Sequence, residues 1–576
     1  MAPAKINNTM YWTLTRRQLC DLECLLNGSF APLQGFLEQA DYLSVCKNMR
    51  LTDHRLWPMP ITLDVSESFA ATCHIGDSIV LVDDENTPLA SLHISSMWQP
   101  NKIDEAAQVF ETTDRLHPGV KYLYEEAGSW YIGGKVTCLT VPKHYDFLEY
   151  RHTPAELKQL FELYGWSRVL AFQTRNPMHR AHFELTKRAA LKVDASLLIH
   201  PVVGMTKPGD VEYMLRVKCY EHVIKRYPIE QQVMLSLLPL AMRMGGPREA
   251  MWHAIIRKNY GATHFIVGRD HAGPGINSQN HVFYDPYAAQ TLLLAYADEI
   301  ELEVMTCPKM VYVKQKDDFL TTDELDANDR VENISGTALR QALQHRHALP
   351  DWFSFPEIIQ TLQTAYPPKH EQGFTLFFTG LSGSGKSTLA KAVQAKLSEA
   401  NTRTVTLLDG DVIRKNLSAG LGFSKKDRDI NVKRLGYVAS EITKHRGIAI
   451  CASIAPYVEA RRFVRKQVEQ YGGFIEIYVA TPFDVCKSRD IKGLYQQAEE
   501  GVITGFTGVD DPYEAPEQPE LVIDTSQMTI PEALEVIFHG LQQLGFYENN
   551  CATYVSQRHA SKKQVQFVAE NMTDII

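Results

Sequence analysis

The sequence predicts a multidomain α/β protein, and three observations carry that prediction. Its 576 residues leave room for about four domains of about 150 residues each. Apolar strand-like runs alternate with helix-like segments in two separate stretches, the pattern of parallel sheets with helical crossovers. In each stretch a polar loop follows directly on an apolar strand, which is where open α/β sheets bind ligands.

The first segment, to about residue 170, mixes a short helical stretch, Thr15 to Leu26, with β-rich runs such as DSIVLVDD and KVTCLTV bounded by Gly and Pro. It reads as a β-rich domain. From SRVLAFQ onward the pattern changes to strands followed by helices: VLAFQ before HFELTKRAALKV, then SLLIHPVVG and THFIVGRD. ISGTALRQAL and the Pro-interrupted PDWFSFPEIIQTLQTAYPPKHEQG read as a small helical segment ending in a linker near Pro367 to Gly373. A second α/β unit follows, with strands TLFFTG, TVTLLDGD, IAICASIAP and FIEIYVAT and a helix ending near Phe546. Residues after about 550 read as a short polar tail, and the chain carries neither internal repeats nor low-complexity tracts.

Composition excludes several classes of function. Hydrophobic residues at 44% and charged residues at 22% are ordinary globular usage, against wholesale disorder, a collagen-like repeat or a coiled coil. With 59 Lys and Arg against 68 Asp and Glu, the net charge of −9 is wrong for a protein that coats nucleic acid but permits local basic pockets. The ten cysteines are scattered, and the close pair Cys20 and Cys24 falls in the first helical stretch, where such spacing means packed neighbours. No zinc or disulfide framework emerges, and a reducing compartment fits. The N-terminus, MAPAKINNTMYW, lacks the basic-then-apolar order of a signal peptide, and no apolar run approaches the ~20 residues that span a bilayer. A cytoplasmic protein with small-molecule partners, neither nucleic-acid- nor membrane-bound, is expected.

Gly380, Leu381, Ser382, Gly383, Ser384, Gly385, Lys386, Ser387 and Thr388 match the phosphate-loop pattern, with an apolar strand before them and the helix former TLAKAVQAKL after. The glycines let backbone N–H groups curl around phosphates, the helix N-terminus adds a positive dipole end, Lys386 supplies a mobile charge and Ser387 a hydroxyl for Mg²⁺. The strand TVTLLDGD ends in Asp409 and Asp411, followed by Arg414. Asp409 suits a base or a ligand to Mg²⁺-bound water, while a solvated acidic turn is the other reading. Arg428, Arg461 and Lys492 offer charge for an anionic acceptor, although taken singly each reads as a surface charge.

Six blocks in order, GLSGSGKST, LDGDVIRKNL, LGFSKKDRDINVKR, SIAPYVEARR, RDIKGLY and GFTGVDDPYE, resemble adenylyl-sulfate kinase over about residues 372 to 547. The resemblance implies that Asp411, Arg414, Phe423, Arg428, Asn431, Ile454, Lys492 and Phe506 hold adenylyl sulfate, with Phe423 and Phe506 sandwiching the adenine. Phe423 read alone is a core residue. Many relatives carry Ser before the Pro-Tyr or Pro-Phe pair; here it is Ala455, which excludes a phosphoserine but leaves direct in-line transfer intact.

The other polar loop, QTRNPMHRAH at Gln173 to His182, lies between the strand VLAF and the helix former FELTKRAAL. His179 and His182, three residues apart at a helix start, suit hydrogen bonding to a phosphate as leaving charge develops. Arg175 offers a planar fork for a tetrahedral dianion, and Gln173 and Asn176 add neutral donors. A helix-capping cluster and a two-His metal site are the competing readings. A second cluster, GRDHAGPG at Gly268 to Gly275, follows THFIV and offers Arg269 and His271; a Gly-Pro loop with incidental charges is its bland reading.

Residues 1 to about 370 resemble ATP sulfurylase, the sulfate adenylyltransferase, through LTRRQLCDLECLLNGSFAPLQGFL, LWPMPITLDV, FQTRNPMHRAH, GRDHAGPG, KMVYV and ISGTALR. This implies a PUA-like β-rich domain over residues 1–168 and a Rossmann-like nucleotidylyltransferase domain over 169–330. A small helical segment over 331–371, a C-terminal P-loop kinase α/β domain over 372–548 and a tail over 549–576 complete the expected order. By the same resemblance Gln173, Arg175 and the backbone at Ala272 bind sulfate, Thr174, Arg175 and Asn176 form the catalytic trio, and His179 and His182 stabilise phosphate. Gln173 to Asn176, Gly268, Arg269, Asp270, His271 and Val311 contact ATP. Pro308 stands where some relatives have Phe, and the Cys cluster of zinc-binding relatives is missing, so no zinc is expected.

Together the two resemblances imply sulfate activation: ATP and sulfate give adenylyl sulfate and pyrophosphate, and a second ATP with Mg²⁺ phosphorylates the 3′-hydroxyl of the product. Homo-oligomers are implied as well. The alternative is a sulfurylase whose kinase-like half is an allosteric nucleotide-binding module, as in fungal relatives that lost the phosphate loop; Gly385, Lys386 and Ser387 are intact here, whereas the Ala455 feature is shared with that branch.

Overall fold

The computed structural model describes residues 10–547 apart from 208, 401–402 and 491–492. Lys492 and the tail after residue 550 therefore lie outside the described residues. The chain divides into two compact units, Met1–Tyr366 and Pro367–Ile576.

The first unit begins with a seven-stranded sheet. Its strands are β1 (Met10–Thr13), β2 (Gly35–Phe36), β3 (Leu63–Val65), β4 (Ser78–Val82), β5 (Pro88–His93), β6 (Ser96–Trp98) and β7 (Trp130–Cys138). The order is β1-β4-β5-β7-β2, with β3 and β6 also paired to β7. The helix Arg16–Leu26 starts at Thr15, whose hydroxyl accepts from the Gln18 N–H while the Gln18 side chain returns to the Thr15 N–H. Cys20 and Cys24 are both buried on it. Phe30 and Trp57 of this region pack with Trp252 of the following α/β region in one apolar core, so the two halves bury each other's surface.

The α/β region of the same unit contains β8 (Val169–Phe172), β9 (Ser196–Ile199), β10 (Val233–Leu235), β11 (His264–Val267) and β12 (Glu303–Thr306). All pair in parallel, in the order β10-β9-β8-β11-β12. β8 and β11 are buried at every residue, as central strands covered on both faces must be, which is why they read as unbroken apolar runs. A three-stranded antiparallel sheet follows: β13 (Met310–Val313), β14 (Asp318–Thr321) and β15 (Val331–Glu332). The helices Gly336–Gln344 and Pro356–Ala365 then dock through Leu343, Ile358 and Leu362 on the core beneath β8 and β9.

In the second unit β16 (Phe374–Thr379), β17 (Val405–Asp409), β18 (Ile448–Ala452), β19 (Gly473–Val479) and β20 (Leu521–Ile523) form another parallel sheet, ordered β17-β18-β16-β19-β20. Helices on its two faces give two apolar layers. The last helix ends at Gln543, and Phe546 beyond it packs on Phe374 with ring centroids 5.4 Å apart. Among the described residues no helix is long and apolar enough to cross a membrane.

The helix Lys425–Lys444, which carries Arg428 and Asn431, packs on the helix Val458–Val468 at Gly436. A Cβ there would stand 2.5 Å from Val464 Cγ2, so the close approach requires glycine. Gly436→Val is expected to destabilise the second unit by about 1–3 kcal/mol through overpacking. Urea denaturation followed in the two units separately checks this; an unmoved midpoint for the second unit contradicts it.

Candidate active sites

The first site opens where β8 and β11 end. These neighbours mark the reversal of strand order, with β9 and β10 to one side and β12 to the other, so the loops that follow them diverge and leave a crevice. Gln173 to Asn176, His179 and His182 after β8, and Gly268 to Ala272 after β11, line one cavity of about 700 Å³, to which Val311 of β13 and Pro308 also contribute. Both polar clusters thus meet in one place, and GRDHAGPG is not an incidental loop.

Thr174 and Asn176 hold each other: Thr174 Oγ1 donates to the Asn176 carbonyl and accepts its N–H, both at 3.1 Å, and Tyr220 donates to the same carbonyl at 2.8 Å. Asn176 and Arg269 are exposed. The Gln173 amide meets Met242 Sδ at 3.9 Å. Arg175 faces a carboxylate that sequence reasoning missed: its Nη1 is 2.6 Å from each oxygen of Asp210, whose Oδ2 also accepts the Lys207 N–H at 3.2 Å. Asp210 lies 35 residues away on the loop after β9, so no local motif signals it.

The capping reading of the histidines is realised in part, since His182 Nδ1 accepts the His179 N–H at 3.3 Å at the start of helix Arg180–Lys192. Residues 353–355 of the small helical segment, also missed, cover this pair. Ser354 Oγ lies 2.9 Å from His179 Nδ1, the Phe353 ring is 4.6 Å from the His179 ring, and the Arg180 guanidinium sits over Phe355 at 4.5 Å. Burial holds His179 at about 3, with His182 adding to the effect, and burial lowers His182 as well. Both rings are neutral at physiological pH, so each has one N–H able to donate without charge. Across the cavity His271 Nε2 is 3.0 Å from His253 Nδ1, His253 Nε2 is 3.4 Å from Glu249, and Glu249 accepts the Arg243 and Gly245 N–H groups at 3.0 and 2.7 Å. Among the described residues no group of three or more His, Cys, Asp or Glu side chains is placed to hold a metal.

The second site sits at the end of β16. Gly380 and Gly383 have φ of +148° and +74°, and a Cβ on either would stand 2.6 or 2.8 Å from the carbonyl oxygens of Val479 and Cys486, so the loop's curl demands glycine at both. The helix Lys386–Ala400 starts directly behind it. Lys386 Nζ donates to the Leu381 carbonyl at 2.6 Å, curled over the loop. Ser387 Oγ donates to Asp409 Oδ2 at 2.8 Å, and Asp409 Oδ1 caps the short helix Gly410–Lys415 by accepting the Asp411 N–H at 3.0 Å. Asp409 is therefore no free acidic turn.

Three readings of single residues are corrected. Phe423 is not core: it is 66% exposed, with the Arg414 guanidinium 4.4 Å from its ring centroid. Arg428 is not a surface charge: its Nη1 donates to Thr507 Oγ1 at 2.7 Å and to Asp511 Oδ2 at 2.6 Å, and Tyr457 donates to that same oxygen at 2.6 Å. Arg461 is buried against Glu476 at 2.8 Å and the Ala455 and Glu514 carbonyls, an architectural role. Asn431 is buried, and its Oδ1 has no hydrogen-bond partner among the described residues. Phe506 packs edge-on against Tyr495 at 5.0 Å, and the Ile454 carbonyl accepts from Thr379 Oγ1 at 2.7 Å.

Comparison with known proteins agrees with both halves. Residues 148–365 match the ATP-sulfurylase family, 372–524 the adenylylsulphate kinase family and 2–141 the PUA-like domain. The chain is 48% identical over 535 residues to a sulfate adenylyltransferase of Phaeosphaeria nodorum, covering 92% of this chain and 93% of the relative. It is 49% identical over 526 residues to one of Mycosarcoma maydis, covering 90% and 91%. Among solved structures it is similar to a hexameric APS kinase from Thiobacillus denitrificans, with a TM-score of 0.76, 37% identity and 94% of each chain covered.

The buried histidines make the first unit acid-sensitive. His200 is fully buried, burial pushes it well below its ordinary value, and neither ring nitrogen has a hydrogen-bond partner among the described residues. The unfolded chain takes up this proton near pH 6.5 and the folded chain does not, so its contribution to stability is lost as pH falls below about 6.5. His200→Phe is therefore expected to narrow the difference in melting temperature of the first unit between pH 7.5 and pH 5, measured by calorimetry. Identical pH slopes in variant and wild type contradict this.

Proposed function

Because the chain belongs to the sulfate adenylyltransferase family and carries an adenylylsulphate kinase domain behind that module, we propose that its two sites run in series, the first making adenylyl sulfate and the second phosphorylating it. The observation that carries the reading is the convergence of the loops after β8 and β11 on one cavity of about 700 Å³.

In the first site a sulfate oxygen attacks the α-phosphorus of ATP in line, the bond from that phosphorus to the bridging oxygen breaks, and pyrophosphate leaves. Sulfate is a weak nucleophile that carries no proton to remove, so this chain's residues contribute alignment and charge stabilisation rather than a base. Arg175 and Gln173, with the backbone at Ala272, hold sulfate, which takes the place of the Asp210 carboxylate on the Arg175 fork. Thr174 fixes the turn that presents Asn176. His179 and His182 donate to the phosphate chain as pyrophosphate accumulates charge. Gly268 to His271 and Val311 border the nucleotide.

In the second site the 3′-hydroxyl of adenylyl sulfate attacks the γ-phosphorus of a second ATP, ADP leaves, and Asp409 takes the hydroxyl proton. Mg²⁺ fits this site, since Ser387 Oγ and Asp409 Oδ2 bring two hard oxygen donors within 2.8 Å of each other beside the phosphate loop. Ser387 would hold the ion, which when bound neutralises charge on the transferring phosphoryl group, and Asp409 is left for the hydroxyl proton. Lys386 leaves the Leu381 carbonyl for the phosphates. Phe423 and Phe506 take the two faces of the adenine, and Asp411, Arg414, Arg428, Asn431 and Ile454 surround the remainder. Lys492 is carried as a binding residue on its motif alone.

A homo-oligomer is supported by the likeness to a hexameric structure, and a reducing, cytoplasmic location by the nine described cysteines, all free thiols. A regulatory, non-catalytic second domain is favoured by one fact: the relatives above carry the name of the first activity alone.

Incubation with ATP, Mg²⁺ and labelled sulfate, followed by separation of the two sulfonucleotides, tests both halves. The wild type is expected to accumulate the 3′-phosphorylated product. Arg175→Ala is expected to lose sulfate-dependent pyrophosphate release by at least ~10²-fold while phosphorylating supplied adenylyl sulfate normally, and Lys386→Ala to do the reverse. An Arg175→Ala enzyme that still releases pyrophosphate sinks the first assignment. Wild-type protein that leaves adenylyl sulfate untouched establishes the regulatory reading.

A further inference from the structure

The segment 352–355 is fastened to the first site residue by residue. Trp352 stacks on Tyr312 of β13, centroids 4.8 Å apart and planes 4° from parallel. The Phe353 carbonyl accepts the Arg180 N–H at 3.2 Å, and Phe355 packs edge-on against Phe183 at 5.6 Å. Between these anchors Ser354, 3% exposed, brings its hydroxyl to His179 Nδ1 at 2.9 Å.

The proton on a neutral imidazole occupies one nitrogen only, and the group bonded to the other decides which. At His182 the answer is forced: its Nδ1 accepts a backbone N–H, so Nε2 carries the hydrogen. At His179 the neighbouring His182 backbone N–H is taken by the His179 carbonyl at 3.0 Å, and the hydrogen-bond partner of Nδ1 is a hydroxyl, which is able to donate or accept. Among the described residues Ser354 has no other hydrogen-bond partner. Were it to accept from Nδ1–H, its own buried hydrogen would be left without an acceptor, at the full desolvation cost of that group. Donation to Nδ1 satisfies both groups.

We propose that Ser354 is a positioning residue for adenylyl transfer: by donating to His179 Nδ1 it holds the ring in the Nε2–H tautomer, so that His179 and His182 present matched N–H donors to the phosphate chain. This rests on the phosphate-stabilising role given to the two histidines above. A carboxylate at position 354 would accept from Nδ1–H and turn a lone pair toward the phosphate, whereas a hydroxyl has the polarity the reaction needs.

The test uses the full chain labelled with ¹⁵N-histidine, the His179 signals being assigned by their loss in His179→Gln. In the wild type the Nδ1 signal is expected in the unprotonated range with an accepted hydrogen bond, and Nε2 in the protonated range. Ser354→Ala is expected to mix the two tautomers and to lower kcat for sulfate-dependent pyrophosphate release about 3- to 10-fold with KM for ATP little changed. That loss is smaller than the ~10²-fold of an oriented donor removed outright, because part of the population keeps the productive tautomer. Ser354→Thr, which keeps the hydroxyl, is expected to restore both the signals and the rate. A His179 that stays wholly Nε2–H in Ser354→Ala overturns the proposal, whatever the rate. A tautomer that shifts with kcat unchanged overturns the link to catalysis. Should His179→Gln itself retain full pyrophosphate release, the phosphate role of the histidine fails instead, while the ¹⁵N comparison still judges Ser354.

Discussion

A buried parallel strand spends all its backbone donors and acceptors on its neighbours, and both of its faces are covered by apolar side chains. Polar chemistry is therefore expelled to the strand ends, and both sites of this chain stand there. β8, β11 and β16 are buried at every residue, and within a few positions of their last residues come Arg175, His271 and Lys386. The strands act as rigid mounts, and the sharp change from apolar to polar at their ends defines where a ligand is able to meet oriented N–H groups.

An arginine brought partly out of water needs an anion, and each site supplies one from a distant loop. Arg175 rests on Asp210 and Arg428 on Asp511, both with N to O separations of 2.6 Å. Leaving either guanidinium unpaired at a buried or half-buried position would be costly, and a carboxylate settles that cost. On the reading proposed above, a tetrahedral dianion matches the Arg175 fork better in charge and shape, whereas the singly charged sulfo end of adenylyl sulfate matches the Arg428 fork in shape alone. Substrate binding on that reading is an exchange of one anion for another, which selects against neutral molecules.

The imidazoles follow the opposite logic. His179 and His182 lie beside Phe353 and Phe172 rather than beside carboxylates, and burial keeps them neutral. A neutral donor adds little to the binding of ground-state ATP but strengthens as charge develops on the leaving pyrophosphate, the condition for lowering a barrier rather than tightening a complex. On the proposed reading the site divides its labour: fixed charge recognises sulfate, and neutral dipoles follow the change in charge.

Much of this was legible in one dimension because the residues concerned are neighbours along the chain. The phosphate loop, the QTRNPMHRAH cluster and the strands before them follow from local spacing, since a strand end and the helix after it are consecutive by necessity. Asp210, Ser354 and Asp511 were not legible, being brought to Arg175, His179 and Arg428 by separations of 35, 175 and 83 residues. Phe423, Arg428 and Arg461 were misread singly because burial is a property of the whole packing arrangement and residue type constrains it weakly. The sequence by itself determined the order of modules and the chemical kinds of group in each site. The tertiary structure alone decided which counter-charge each arginine faces and which hydroxyl meets the histidine, because these depend on how distant loops close over a strand end, and nothing in local periodicity encodes that closure.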